Sequence, residues 1–417
     1  MQDQITEEID LGDRFAPSPE VQTEDRKVYD YALDGLRGIA ALWVAYAHIF
    51  FFNFKIDPAY HPTLPIGYFF NAAHGGVLIF FALSGYVIGL TNRLPFSQTN
   101  AIRYVLRRFI RLYPIYVLAI ILGTLSYPVD TWKTIVGSFF FLQVAVSGLI
   151  QGNGVLWTLN YEVVYYLVFL AVWYFRPKVI PLMFCSLVIA CVFPFIPAIP
   201  SIISGYAAGW IFWLFGLWLA WKKPRSEEIR KFPLVAYMLI FIATDKLSIV
   251  KTLLEALELT KLNLAQINIT DFVYLPLCLL LFSALTQRRI PCVRWLNAIA
   301  IALPLAHTTY LLVIGQQYAL FGGFHLALGI ALWGWRSSPD IFHKFTFFGS
   351  ISYGVYVLHM PIMNFMSYVP FFSGSVFSFI VRVLIWAGLT IGISYLLELK
   401  LQPIIKNWFQ QKVLNHV

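Results

Sequence analysis

Charged residues are scarce in this chain. They make up 12% of its 417 residues, and 59% of the residues are hydrophobic. In a soluble domain about 25% of residues are charged and about 45–50% are apolar. The composition therefore excludes a water-soluble globular protein. Glycine and proline follow no period, and the apolar content is far too high for a disordered or fibrous chain.

Cysteine is also rare. The chain has four cysteines, without CxxC spacing and without a histidine nearby. We therefore expect neither a disulfide framework nor a metal site. We interpret the cysteines as small core residues: Cys185, Cys191, Cys278 and Cys292. The alternating segments that a transmembrane β-barrel requires are missing as well.

Long apolar runs dominate the sequence. Runs close to the roughly 20 residues that cross a bilayer recur from end to end. They predict an all-α polytopic membrane protein, a bundle of roughly 10–12 transmembrane helices. The candidate spans are 33–54, 70–92, 109–127, 155–175, 179–197, 203–221, 233–250, 271–286, 295–314, 317–335, 349–369 and 376–398.

The net charge of +9 is divided unevenly. Residues 1–30 hold nine acidic and three basic residues, which predicts a flexible acidic tail. This segment has no apolar stretch and is not a signal peptide, so we expect the first helix to direct insertion. Residues 401–417 form a second, short tail. The bases elsewhere lie in short loops, which indicates membrane topology rather than nucleic-acid binding.

The basic loops predict one orientation. The loops 93–111 and 222–231 carry five bases each and should be cytoplasmic. If each candidate span crosses once, the remaining basic loops and both termini fall on that same side. Residues 133–150 would break this parity if they crossed, so we interpret them as interfacial or re-entrant, with 151–154 near the outer surface. Residues 295–335 fit either two crossings or two buried partial helices.

Ionisable residues inside the spans are the candidates for function, because each costs at least about 2.5–3.5 kcal/mol at mid-membrane. Arg37 and His48 lie eleven residues apart in the first span. This spacing places them on one helix face and separates them by about 16 Å. The alternative is an arginine that snorkels to the interface and an unrelated core histidine. Ser84 and Gly85, in the second span, fit either a functional role or close helix packing.

Further polar residues cluster at three other spans. Arg108 and Arg111 share a helix face, where two guanidiniums could grip phosphates or merely anchor the helix at the cytoplasmic side. Glu162 lies among aromatic residues at the start of the fourth span and needs a partner for its charge. Tyr353 and His359 lie in the penultimate span, whose tyrosines also fit the polar tips of an ordinary helix bundle.

These motifs together resemble the acyltransferase family 3 membrane proteins, which acylate, most often acetylate, hydroxyls of cell-envelope carbohydrates. The resemblance extends over about residues 30–400. Each motif is short, but all five occur in the family's order. They are Leu33-Asp34-Gly35-Leu36-Arg37-Gly38 with His48, Phe80-Phe81-Ala82-Leu83-Ser84-Gly85-Tyr86, Arg108 to Pro114, Trp157-Thr158-Leu159 with Glu162, and Ser352-Tyr353-Gly354-Val355-Tyr356 with His359. Thr158 and Tyr86 replace the serine and phenylalanine that are usual there.

The resemblance implies a transmembrane acyltransferase domain over 31–400, in a bacterial inner membrane. It would move an acyl group from cytoplasmic acyl-CoA to a carbohydrate or glycolipid acceptor, without a metal. His48, Arg37 and Glu162 would be the catalytic residues. His48 would act as general base or transient acyl carrier, and Glu162 would orient its imidazole or accept the acceptor hydroxyl. The residues assigned to the donor site are Arg108, Arg111, Ser84, Tyr353 and His359.

Two other classes of function stay open from the sequence. The same charges could line the pathway of a transporter or flippase for an amphipathic or glycan substrate. The lack of an internal repeat and the off-centre position of the arginines count against it. The chain could also be a non-catalytic component of a glycan assembly complex, in which case none of these polar residues would be needed individually. The acyl group, the acceptor and the oligomeric state do not follow from the sequence.

Overall fold

The computed structural model describes residues 19–62, 72–222, 229–259 and 262–412, with side chains from Tyr31 onward. Residues 1–18 of the predicted acidic tail, part of the basic loop 222–231 and residues 413–417 lie outside these ranges. Within them the chain is helical, and its only extended pairings are two isolated bridges, Gln143 with Ser147 and Phe232 with Ser337.

The α-helices follow the apolar runs closely. In the first half of the chain they are α1 Pro19–Phe51, α2 Asn53–Ile56, α3 Ala73–Thr91, α4 Gln98–Ser126, α5 Trp132–Phe139, α6 Trp157–Phe175, α7 Val179–Val192 and α8 Ser201–Ala220. In the second half they are α9 Leu234–Leu247, α10 Ile249–Ala256, α11 Leu275–Leu285, α12 Val293–Val313, α13 Ala319–Ala331, α14 Thr346–Ser350, α15 Ser352–Ser367, α16 Val376–Tyr395 and α17 Gln402–Lys412.

Shorter helical turns connect several of these helices. The 3₁₀ turns are Gln151–Leu156, Phe193–Phe195, Ile269–Tyr274 and Pro339–Phe345, and a π-helical stretch, Leu396–Leu401, joins α16 to α17. The segment predicted as a short C-terminal tail is therefore helical as far as Lys412. The backbone of residues 19–30, part of the predicted N-terminal tail, continues α1.

Six helical segments of the described residues are long and apolar enough to cross a bilayer. They are Ala73–Thr91, Gln98–Ser126, Gln151–Phe175, Ser201–Ala220, Val293–Val313 and Val376–Lys412. The all-α membrane architecture is confirmed at this level. The count of 10–12 crossings and the cytoplasmic position of both termini stay predictions. Residues 133–150 form only the eight-residue α5 and a turn, which is too short to cross.

Close backbone contacts hold the centre of the bundle together. A methyl group at Gly85 of α3 would collide with the carbonyl oxygen of Trp213 in α8, and one at Gly216 would collide with that of Ala82. Because glycine lets the two backbones approach this closely, Gly85 serves packing. Its neighbour Ser84 lines a cavity instead. Close packing therefore explains Gly85, and a functional role stays open for Ser84.

Two prolines inside helices are compensated by side-chain amides. A proline has no N–H, so the carbonyl four residues before it loses its helical partner. Pro361 frees the carbonyl of Val357, which accepts a hydrogen bond from the buried Asn153 at 2.9 Å. Pro114 frees that of Ile110, which accepts from Gln402 at 3.1 Å. Residues far apart in the chain thus fix the two helices that carry the third and fifth motifs.

The cysteines are not uniformly in the core. Cys278 is buried in α11, and Cys191 is partly buried. Cys185 and Cys292 are exposed. The interpretation as small core residues is therefore wrong for these last two. A membrane helix is apolar on the face that packs in the bundle and also on the face that contacts lipid. The sequence of an apolar span therefore does not indicate which of its residues are buried.

Candidate active site

An elongated cavity of about 330 Å³ lies between α1, α3, α4, α6 and α15. Its lining on α3 runs from Val77 to Thr91, which is about 21 Å at roughly 1.5 Å per residue. Six of the eight predicted site residues line it: Arg37, Ser84, Arg108, Arg111, Glu162 and Tyr353. Residues from five separate motifs are therefore brought around one space.

The basic end of the cavity, which we define by Thr91, Arg108 and Arg111, carries two guanidinium groups. Arg108 Nη2 lies 3.5 Å from Thr91 Oγ1, and its guanidinium lies over the rings of Tyr104 and Tyr166 at 5.8 and 5.6 Å. Its Nε is buried and has no hydrogen-bond partner among the described residues.

Among the residues that the structure describes, neither Arg108 nor Arg111 makes an ion pair with a carboxylate within 4 Å. Two guanidiniums with free donors suit an anionic ligand, because they bind phosphate oxygens bidentately.

Arg37 lies on the α1 wall and is partly compensated. It forms an ion pair with Asp34, one turn earlier, and both side chains are about a quarter to a third exposed, 23% and 34%. Arg111 and Glu162 act on it electrostatically across the cavity. Arg37 therefore projects into the cavity rather than away from it, which favours a binding role over snorkelling.

Glu162 is held by its own helix. Tyr166, one turn later on α6, donates a short hydrogen bond to the Glu162 carboxylate, and both residues line the cavity. Ser84 of α3 lies beside Tyr166. Tyr353 closes the opposite wall and donates to the Leu112 carbonyl at 3.0 Å. The carboxylate thus has a hydroxyl partner, as its burial among aromatic residues requires.

Two rings line the opposite end of the cavity, with Val77 one turn before Phe80 on α3. Phe80 and Tyr356 meet edge to face with their centroids 5.6 Å apart. The Tyr356 hydroxyl accepts a hydrogen bond from Thr158 at 3.0 Å and donates to the Val155 carbonyl at 3.3 Å. We call this the aromatic end. Tyr356 is fixed there at both its ring and its hydroxyl.

The two predicted histidines lie behind Tyr356 and pair with each other. His359, fully buried in α15, has its ring centroid 6.2 Å from that of Tyr356. Its Nε2 lies 3.1 Å from Nδ1 of His48, and its Nδ1 lies 3.0 Å from the Val355 carbonyl oxygen. Neither histidine lines the cavity.

The hydrogen bonds assign the tautomers of this pair. A carbonyl oxygen only accepts, so His359 Nδ1 carries the proton and its Nε2 is the acceptor. His48 must then donate from Nδ1, which leaves the lone pair of its Nε2 available as a base. His48 is only partly buried, whereas His359 is fully buried.

The geometry bears on two assignments from the sequence. Glu162 bonds to Tyr166 rather than to His48, and the side-chain partner of His48 is His359. His359, assigned to the donor site, does not line the cavity, and its ring packs beside that of Tyr356, which does. Helical spacing relates residues of one helix, whereas the partner of His48 depends on how different helices approach each other.

Sequence reasoning also missed two polar residues. Tyr166 follows Glu162 by four residues, a spacing that signals contact on a helix. Glu398 accepts a hydrogen bond from the Gly354 amide at 2.6 Å and so caps the start of α15. It lies in the π-helical stretch, near enough to Arg111 and Arg37 to act on them electrostatically. An acidic residue at the end of an apolar span was the available signal.

Comparison with known proteins identifies the family of the chain. The model of acyltransferase family 3, described as an acyltransferase domain, matches residues 30–399. "Protein 2 in picA locus" of Rhizobium radiobacter is 38% identical over 92 residues, 22% of this chain and 41% of that protein. The chain thus spans less than half the length of this relative, and no solved structure matches it. Because the family model covers most of the chain, the chain belongs to acyltransferase family 3 and is a membrane acyltransferase.

Proposed function

We propose that this protein transfers an acyl group, most simply acetyl, from cytoplasmic acyl-CoA to a hydroxyl of an extracytoplasmic or lipid-linked carbohydrate. One observation carries the proposal. A single elongated cavity has two arginines at one end and, at the other, a tyrosine whose ring packs beside a histidine pair. Acyl-CoA has matching ends, with phosphates at one and a thioester at the other.

The arginines account for binding of the donor. Arg108 and Arg111 hold the phosphates at the basic end, with Arg37 on the adjoining wall. The flexible arm of the donor then runs along α3 toward the aromatic end. The lining there is largely apolar, with Val77, Phe81 and Leu159, which suits an uncharged chain. The thioester arrives beside Tyr356.

His48 supplies the base. As the acceptor oxygen attacks the thioester carbonyl carbon, Nε2 of His48 takes the proton of the hydroxyl. The carbon–oxygen bond forms, the carbon–sulfur bond breaks, and the CoA thiolate takes the proton to leave as a thiol. His359 positions the imidazole because its Nε2 accepts a hydrogen bond from the Nδ1–H of His48. The acceptor approaches from the partly exposed side of His48, and its oxygen reaches the thioester carbon past the edge of the Tyr356 ring.

Release of CoA distinguishes this function from transport. Protein purified in detergent should release free CoA thiol from radiolabelled acetyl-CoA when an envelope glycolipid extract is added, and the label should appear in the extract. A transporter or a non-catalytic component of an assembly complex would give neither product. Absence of both from protein that is folded, with a range of glycolipid and polysaccharide acceptors, would contradict the proposal.

A further inference from the structure

We propose that the Phe80–Tyr356 ring pair sets the length of the acyl group that this protein transfers, and restricts it to short chains. The inference rests on the proposed function, because it assumes that the thioester lies at the aromatic end. It names the class of donor within that function, a short-chain acyl-CoA, and a specificity-determining residue, Phe80.

The position of the rings follows from the direction of the cavity. The phosphates and the acyl group lie at opposite ends of acyl-CoA. With Arg108 and Arg111 at the basic end, the acyl group is the part that meets Phe80 and Tyr356. The ring of His359 packs beside that of Tyr356 and against His48, and neither histidine lines the cavity. A longer acyl chain therefore has to displace a ring.

Of the two rings, Phe80 is the adjustable one. Tyr356 is 6% exposed and bound through its hydroxyl to Thr158 and Val155, and it packs toward His359. A change at Tyr356 would thus disturb the base as well as the wall. Phe80 is only partly buried and has no polar atom to tether it. Removing its ring enlarges the acyl end of the cavity and leaves the arginines and histidines in place.

The size of the effect follows from packing. Protein interiors have little free volume, and forcing extra methylenes into a filled site is unfavourable. Discrimination by one methylene in an apolar pocket is worth roughly 10- to 200-fold. A short chain such as acetyl fits before the wall, and each added methylene meets a ring.

The test compares acetyl-, butyryl- and hexanoyl-CoA as donors for the wild-type protein and Phe80→Ala. The wild type should use acetyl-CoA best. In the variant, the ratio of hexanoyl to acetyl transfer should rise by about tenfold or more. Phe184→Ala, which removes an exposed ring of α7 that does not line the cavity, should leave the ratio unchanged. Phe80→Leu provides the same comparison with a smaller change if Phe80→Ala fails to fold.

The outcomes separate this inference from the proposed function. Wild-type transfer of hexanoyl as readily as acetyl, or active Phe80 variants with an unaltered ratio, would overturn the inference alone. Folded wild-type protein that transfers no acyl group from any of the three donors would overturn the proposed function and the inference with it.

Discussion

Acyl transfer by His48→Ala is expected to fall by roughly 10²- to 10⁴-fold, the usual contribution of a general base. Binding of acetyl-CoA should stay unchanged, because His48 does not line the donor cavity. The measurement is the rate of label transfer at saturating acetyl-CoA, together with the donor Kd of each purified protein. The control is His61→Ala, which removes an exposed histidine bonded to Asn53, the first residue of α2.

The partner of His48 gives a finer version of this test. His359→Leu removes the acceptor of the Nδ1 proton, and the rate should fall although the protein keeps its apolar packing. His359→Gln offers a carbonyl oxygen to the same proton and should recover part of the rate. Equal loss in both variants would mean that His359 serves packing alone. Normal transfer by His48→Ala would remove the base from the mechanism.

The double substitution of Arg108 and Arg111 by alanine is expected to raise the KM for acetyl-CoA by roughly 10²- to 10⁴-fold. Hydrogen bonds to charged groups contribute about 1.5–3 kcal/mol each, and each 1.4 kcal/mol corresponds to about a tenfold change in affinity. Affinity for the acceptor should change little. The measurement is donor KM in the transfer assay, with direct binding of acetyl-CoA alongside.

A matched control lies on the same helix. Replacing Arg103 and Arg107 by alanine removes the same charge from α4, but neither residue lines the cavity. That double variant should keep its donor KM. If both pairs raise the KM equally, the arginines of α4 act by general attraction or by anchoring the helix. If donor and acceptor binding fall together in the Arg108 and Arg111 variant, the role is in folding.

The helices of this fold follow from apolar run length. Each of the twelve candidate spans overlaps a helix of the structure, because a stretch of apolar residues in lipid has to satisfy its backbone hydrogen bonds internally. The helices α1 and α4 begin well before their spans, at Pro19 and Gln98, since their first turns are polar and carry no apolar signal. The run length does not say whether a helix crosses. The candidate span 317–335, for example, contains the helix Ala319–Ala331, which has only thirteen residues. The apolar stretch is longer than this helix because it ends in a turn.

The members of the site were predictable, and their pairing was not. Charges such as Arg108 and Glu162 stand out in apolar helices because each is costly there. The contact of His48 with His359 joins residues 311 positions apart, and no periodicity relates two helices of unknown approach. The same holds for Asn153, whose place under the Val357 carbonyl depends on a proline in another helix.

The central claim is that acyl-CoA lies in this cavity with its phosphates at the basic end. A structure of the protein with a non-hydrolysable acetyl-CoA analogue tests it most directly. We expect the phosphates to bind Arg108 and Arg111 and the arm to lie along α3. The acetyl group should contact Phe80 and Tyr356. An analogue bound elsewhere, or bound here with its phosphates toward Tyr356, would contradict it.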